Sequence, residues 1–176
     1  EELRAFQADL QLVVAFKMLP EVVWNMPPLG TVNLHASLLP DYRGAAPINW
    51  AIMNGERCSG VTTFLLKHEI DTGNLIFQER VEIGPNMTAG ELHDQLMYTG
   101  ADLLVKTVEA MTVGNYPLQD QAGLLAGREP KHAPKIFKED MKVDWTLDLD
   151  TIFNHIHLFQ PHGPNSETRR PGRPCR

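Results

Sequence analysis

Asn33 and His35 stand two residues apart at the polar end of the apolar stretch Thr31-Val32-Asn33-Leu34-His35. Alternate side chains of a strand share a face, so the carboxamide and the imidazole project to one side. Both groups can donate hydrogen bonds, and two donors converging on one point stabilise an oxyanion as it develops. Asp71 follows in His68-Glu69-Ile70-Asp71-Thr72-Gly73, at the turn after the next apolar stretch. A carboxylate brought beside an imidazole from an adjacent strand end makes an acid–base pair. Each observation also has a plainer account. Spacing alone favours a pair of satisfied strand-end polar residues for Asn33 and His35. Asp-Thr-Gly is a common turn sequence, in which Asp caps its own backbone and Gly takes positive φ. His68 and Glu69 are adjacent on an extended segment and lack a ligand partner, so no metal is expected there.

Between the two sites runs Ser37-Leu38-Leu39-Pro40-Asp41-Tyr42-Arg43-Gly44-Ala45-Ala46-Pro47. It reads as a loop with a rigid Pro, a flexible Gly and a helix start near Pro47. Its two leucines would be exposed unless they lined an apolar pocket.

Buried strands must carry these residues. Leu10 to Phe16 is a short apolar run suited to a strand covered on both faces, and Thr31 to His35 is a second. Val61 to Leu66 and Asn74 to Ile83 read as two more strands. Helices are expected at Leu19–Val23, at Ala45–Asn54 before Gly55, and from Ala89 to about Thr112. Thr88 and Glu91 form a capping box for the last of these. Strand–helix alternation of this kind predicts an α/β fold with a largely parallel sheet. Residues 127–138 read as a connecting segment, Thr146–Ile156 as one more amphipathic helix, and 161–176 as disordered by composition.

At 176 residues the chain suits one ordinary domain with a real core. Apolar residues make up 43% and charged residues 22%, a balance that argues against wholesale disorder. No apolar run approaches the ~20 residues of a membrane span, and the start Glu1-Glu2-Leu3-Arg4 does not read as a secretory leader. Cys58 and Cys175 lie far apart, which favours a reduced cytoplasmic protein over a disulfide framework or a zinc site. The formal charge is -6, yet residues 157–176 carry four Arg against one Glu. The acidic remainder argues against a general nucleic-acid-binding surface, so an RNA partner would place its main footprint elsewhere.

The ordered set Asn33-x-His35-x-Ser37-Leu38-Leu39-Pro40-x-Tyr42-Arg43-Gly44-Ala45-Ala46-Pro47, followed by Ile70-Asp71-Thr72-Gly73, closely resembles the signature of the methionyl-tRNA formyltransferases. These belong to the folate-dependent formyltransferase family. The resemblance covers about residues 1–156, through Ala133-Pro134-Lys135-Ile136 and Asp144-Trp145. It implies a Rossmann-like formyltransferase core and a donor, 10-formyltetrahydrofolate, whose formyl group passes to the amine of a Met esterified to initiator tRNA. His35 and Asn33 would stabilise the tetrahedral oxyanion, while Asp71 would assist proton transfer and orient His35. Ser37, Leu38, Leu39 and Pro40 would line the folate site, with Phe16-Lys17-Met18-Leu19 beside the pteridine. No metal is implied. Glycinamide ribonucleotide formyltransferases share the Asn, His and Asp but usually differ in the Arg-Gly-Ala-Ala-Pro stretch. Rival readings are a sugar-nucleotide formyltransferase, a formyltetrahydrofolate hydrolase domain, or a folate-binding fragment without turnover.

Set against that family, the expected organisation is a catalytic domain over residues 1–122, incomplete at the N-terminus. Residues 123–156 are then the linker and start of a C-terminal domain that helps to hold tRNA. A cytoplasmic monomer without membrane contact is expected. The family continues from Ile156 with something like Leu-Ser-Pro-Tyr-Pro-Ala-Ala-Trp, where this chain has His157-Leu158-Phe159-Gln160-Pro161-His162-Gly163. Moving the reading frame by two bases permits Ser-Pro-Phe-Pro-Ala-Ala-Trp. Residues 157–176 are accordingly expected to be an out-of-frame tail, or else a disordered basic arm.

Overall fold

Val32 and Leu34 point one way along their strand and Asn33 and His35 the other, and this alternation sets the layers. The computed structural model describes residues 2–15 and 18–158. Strands β1 (Gln11–Val14), β2 (Thr31–His35), β3 (Cys58–Leu65) and β4 (Leu75–Glu82) form one sheet in that spatial order. β1 and β2 are parallel, with Gln11 opposite Thr31 and Val14 opposite Leu34. β2 and β3 are antiparallel, as are β3 and β4.

The core is α/β and Rossmann-like, but its described sheet is mixed where a largely parallel one was expected. The reason lies in the connections. Residues 66–74 join β3 to β4 with no helix between them, which makes an antiparallel hairpin. Helix α2 (Pro47–Met53) has only seven residues, about 10 Å of rise, and does not carry the chain through a parallel crossover. The short helix α1 (Glu21–Trp24) lies in the β1–β2 connection, which does make the parallel pair.

Helix α3 (Ala89–Val113) covers one face of the sheet. Its first turn is tied by the expected capping box. The Glu91 amide donates to Thr88 Oγ1 at 3.2 Å, and the Thr88 amide donates to Glu91 Oε2 at 2.9 Å. Leu92, Leu96 and Leu103 recur at helical spacing and join Val61, Val81 and Ile52 in the main core cluster. Gly100 lets the helix close on β2, since a Cβ there would lie 2.8 Å from Leu34 Cδ2.

On the opposite face Leu39 packs with Phe64 and Leu75. Burying a side chain of that size contributes about 1.5–3 kcal/mol, which fastens the loop after β2 to the sheet. Short helix α4 (Gln121–Leu125) adds Leu124 to that face. Helix α5 (Leu149–His157) follows a segment from 126 to 148 without long elements and packs on α2. Its observed start is three residues later than the sequence pattern predicts, because Asp148 takes the cap position. The proposed tail beyond Leu158 lies outside the described residues, as do Phe16 and Lys17.

Candidate active site

Register puts Asn33 between Val13 and Phe64 and His35 opposite Thr62, so both side chains lie on the loop-covered face, with His35 just past the end of β1. His35 is buried, and its Nε2–H donates to the Tyr42 carbonyl at 2.8 Å. A carbonyl can only accept, so this bond fixes a proton on Nε2 and leaves Nδ1 to face Asp71. Asp71 Oδ2 is 3.8 Å from Nδ1, within ion-pair reach but longer than a hydrogen bond. The same oxygen accepts from the Gly44 amide at 2.9 Å. Asn33 is buried with its Oδ1 accepting no hydrogen bond. Leaving a buried acceptor unpaired costs about 1–3 kcal/mol, and such an atom marks a place where a ligand group completes the bonding.

Tyr42 is held on every side. Its amide donates to the Lys131 carbonyl at 2.6 Å, its hydroxyl donates to Glu56, and Asn54 Nδ2 donates to that hydroxyl at 3.0 Å. Burial first, then the Glu56 carboxylate, pushes the phenol well above its ordinary range. Glu56 is also paired with Lys131. These contacts hold the carbonyl that grips His35.

Residues 128–134, expected only as a connecting segment, strap the loop from outside. The Ala133 amide donates to Arg43 O at 2.8 Å, and the Ala46 amide donates to Ala133 O at 3.1 Å. Arg128 donates twice to Asp41 at 2.7 Å, and the Lys131 amide donates to Asp41 Oδ1 at 3.0 Å. Partial burial works to raise the Asp41 carboxyl, but the Arg128 bonds, the Lys131 amide and both nearby charges outweigh it. The net effect holds it below the usual carboxylate range. Gly44 is required where strap and loop meet: its φ is +124° and a Cβ would lie 2.4 Å from Ala133 O.

A cavity of about 1080 Å³ opens at this strand end. Val14, Leu19, Val61, Leu66, Ile70 and Leu104 give it apolar walls; Asn33, His35 and Asp71 are its buried polar groups, and Asn49, Lys67, Glu69 and His93 also line it. A small number of buried polar groups set in apolar walls is the usual make-up of a small-molecule site. Trp24, His68 and Glu21 stand at its edge, His68 Nε2 lying 3.2 Å from Glu21 Oε1 and edge-on to Trp24. His68 thus pairs with Glu21 across the rim. Among the described residues no three His, Cys, Asp or Glu cluster as a metal set. A second concavity of about 1010 Å³, bounded by Leu3 and Pro28, holds none of the three polar groups.

The structure therefore brings Asn33, His35 and Asp71 together, and Met18 and Leu19 to the same cavity. It does not bring Ser37, Leu38, Leu39 and Pro40 to that wall. Ser37 Oγ donates to Asp41 O at 2.7 Å, Thr62 Oγ1 donates to Ser37 O at 2.6 Å, and Gln78 Nε2 donates to Leu39 O at 2.8 Å. This segment is bound to the sheet, and the next limb, Gly44 to Asn49, lines the cavity instead. Gln121, which sequence reasoning did not single out, is buried behind Asp71. Its Nε2 donates to Asp71 O and Gly73 O, both at 2.8 Å.

Residues 1–108 match the family model described as formyl transferase. The chain is 54% identical over 157 residues to the methionyl-tRNA formyltransferase of Phocaeicola vulgatus, covering 89% of this chain and 48% of that protein. It spans about half the length of the curated relatives it matches. An N-formyltransferase from Helicobacter canadensis, solved with folinic acid and dTDP-3-aminofucose, superposes with a TM-score of 0.63 at 28% identity over 72% of this chain and 46% of its own. HypX from Aquifex aeolicus, solved with tetrahydrofolic acid, shares the fold with a TM-score of 0.72 at 23% identity, over 88% of this chain and 26% of its own.

Proposed function

Because the chain belongs to the formyl transferase family, we propose that it carries the catalytic centre of a methionyl-tRNA formyltransferase. Its reaction moves the formyl group of 10-formyltetrahydrofolate to the amino group of Met on initiator tRNA. The observation that carries this reading is the grouping of Asn33, His35 and Asp71 around one apolar cavity, with Asn33 Oδ1 left unpaired.

The apolar walls suit a flat pteridine ring, and Met18 and Leu19 stand beside it. Ser37, Leu38, Leu39 and Pro40 serve the folate site from beneath, by holding the limb that forms its wall. As the amine attacks the formyl carbon, the carbonyl oxygen gains negative charge. With Nε2–H already given to the Tyr42 carbonyl, His35 donates from Nδ1 in its doubly protonated form, opposite the Asp71 carboxylate, and the Asn33 amide donates to the same oxygen. Asp71, partly through water, takes the proton that the amine loses, and its charge orients the imidazole. The carbon–N10 bond then breaks, N10 recovers a proton, and formylmethionyl-tRNA and tetrahydrofolate are the products.

Residues 1–122 act as the catalytic domain and 123–156 lead towards a second domain that takes most of the tRNA. The acidic charge of the chain before residue 157 accords with that division. No described helix is long and apolar enough to cross a membrane, and we place the enzyme in the cytoplasm as a monomer. The test offers 10-formyltetrahydrofolate with Met-tRNA, with a 4-amino sugar nucleotide, or with no acceptor. Formyl-Met-tRNA as the main product is expected. Preferential sugar formylation or release of formate would replace this reading, and folate binding without transfer would reduce the chain to a binding fragment.

A further inference from the structure

Asp71 adopts φ +54°, in the left-handed region that non-glycine residues enter rarely. A backbone held there persists when its surroundings over-determine it. Here one side chain supplies much of that constraint. Gln121 is 1% exposed. Its Nε2 donates to the carbonyls of Asp71 and Gly73, each at 2.8 Å, so both amide protons are used within the same turn. Its Oε1 accepts from Arg43 Nε at 3.1 Å and Nη2 at 2.6 Å. Two carbonyls demand the amide's NH2 and a guanidinium demands its oxygen, so the side chain's orientation is fixed by its partners.

The consequence runs to the reacting groups. Arg43 precedes Gly44, whose amide donates to Asp71 Oδ2, and that oxygen faces His35 Nδ1. We infer that Gln121 is a positioning residue of the catalytic centre: it joins the Asp71 turn to the Arg43–Gly44 limb and thereby sets the aim of the Asp71 carboxylate at His35. It touches no substrate and lies outside the cavity wall. The inference deepens the proposed function and rests on that reading for its kinetic arm.

Two variants separate positioning from plain anchoring. Gln121→Glu keeps an acceptor for Arg43 but loses both donors to the turn. Gln121→Met loses both ends at similar volume. In the full-length enzyme, positioning predicts that Gln121→Glu lowers kcat about 10-fold to 100-fold while the folate KM changes less than about 2-fold, the signature of misplaced catalytic groups. Full activity in Gln121→Glu, or a loss confined to KM, would overturn it. A second measurement needs no turnover: imidazole NMR, with His35 assigned by comparison with His35→Ala. Both glutamine variants should move the His35 resonances and leave those of His93 in place. Unmoved His35 resonances in folded variants would overturn the inference. A wild-type protein that transfers no formyl group fails the proposed function alone, because the NMR arm still decides the role of Gln121.

Discussion

Asn33 Oδ1 is a buried acceptor with no donor, set beside an imidazole whose far nitrogen is already committed to Tyr42 O. An acceptor of this kind suits an N–H donor such as the attacking amine, and leaves the Nδ2 end of the same side chain to donate to the oxyanion of the proposed reaction. Asn33→Ala should lower kcat by about 100-fold, with a small change in folate KM, because the oxyanion donor acts chiefly in the transition state. Steady-state kinetics with varied folate would show it; a rise in KM at constant kcat would make Asn33 a binding group only. Strand alternation puts Asn33 and His35 on one face, but spacing alone favoured satisfied strand-end polar residues there and a plain turn at Asp71; the family resemblance gave the three their proposed roles. Gln121 had no signal. It reaches Asp71 from fifty residues away as the first residue of a short helix, and nothing local distinguishes it from an exposed amide.

At the scale of elements, the strand over Thr31–His35 and the capping box at Thr88 and Glu91 form as local pattern demands. The direction of β3 and β4 was not legible in the same way. Apolar alternation gives a strand but not its sense, which depends on whether the connection can cross over. The leucines of Ser37–Pro40 read as exposed unless they lined an apolar pocket; Leu39 instead packs on Phe64 and Leu75 of the sheet. The strap over the loop is the element that sequence pattern missed, because its bonds join residues nearly ninety positions apart and half of them are made by backbone groups that any residue carries. Gly44 is where it is most exposed to test. Gly44→Ala should destabilise the protein by about 2 kcal/mol or more, since the new Cβ meets backbone and the positive φ adds strain. Urea denaturation would measure this; an unchanged midpoint would mean that strap and loop part easily.

Over the whole molecule, one ion pair reports whether the strap stays closed. The Asp41 carboxyl is held below its ordinary range, so the stability it contributes is present above about pH 4. That stability is lost as pH falls through the lowered value. Arg128 is half exposed, so salt should weaken the effect. Comparing urea midpoints from pH 6 to pH 3, wild type should lose more on acidification than Asp41→Asn, and the two curves should converge at the acid end. Parallel curves would show that the pair does not couple to folding. For the proposed function, the most direct measurement is formyl transfer from 10-formyltetrahydrofolate to Met-tRNA by wild type and by His35→Ala at matched concentration and folding. The expected result is formyl-Met-tRNA from wild type and a rate lower by about 100-fold or more without the imidazole. Equal rates from the two proteins would contradict the assignment of this site.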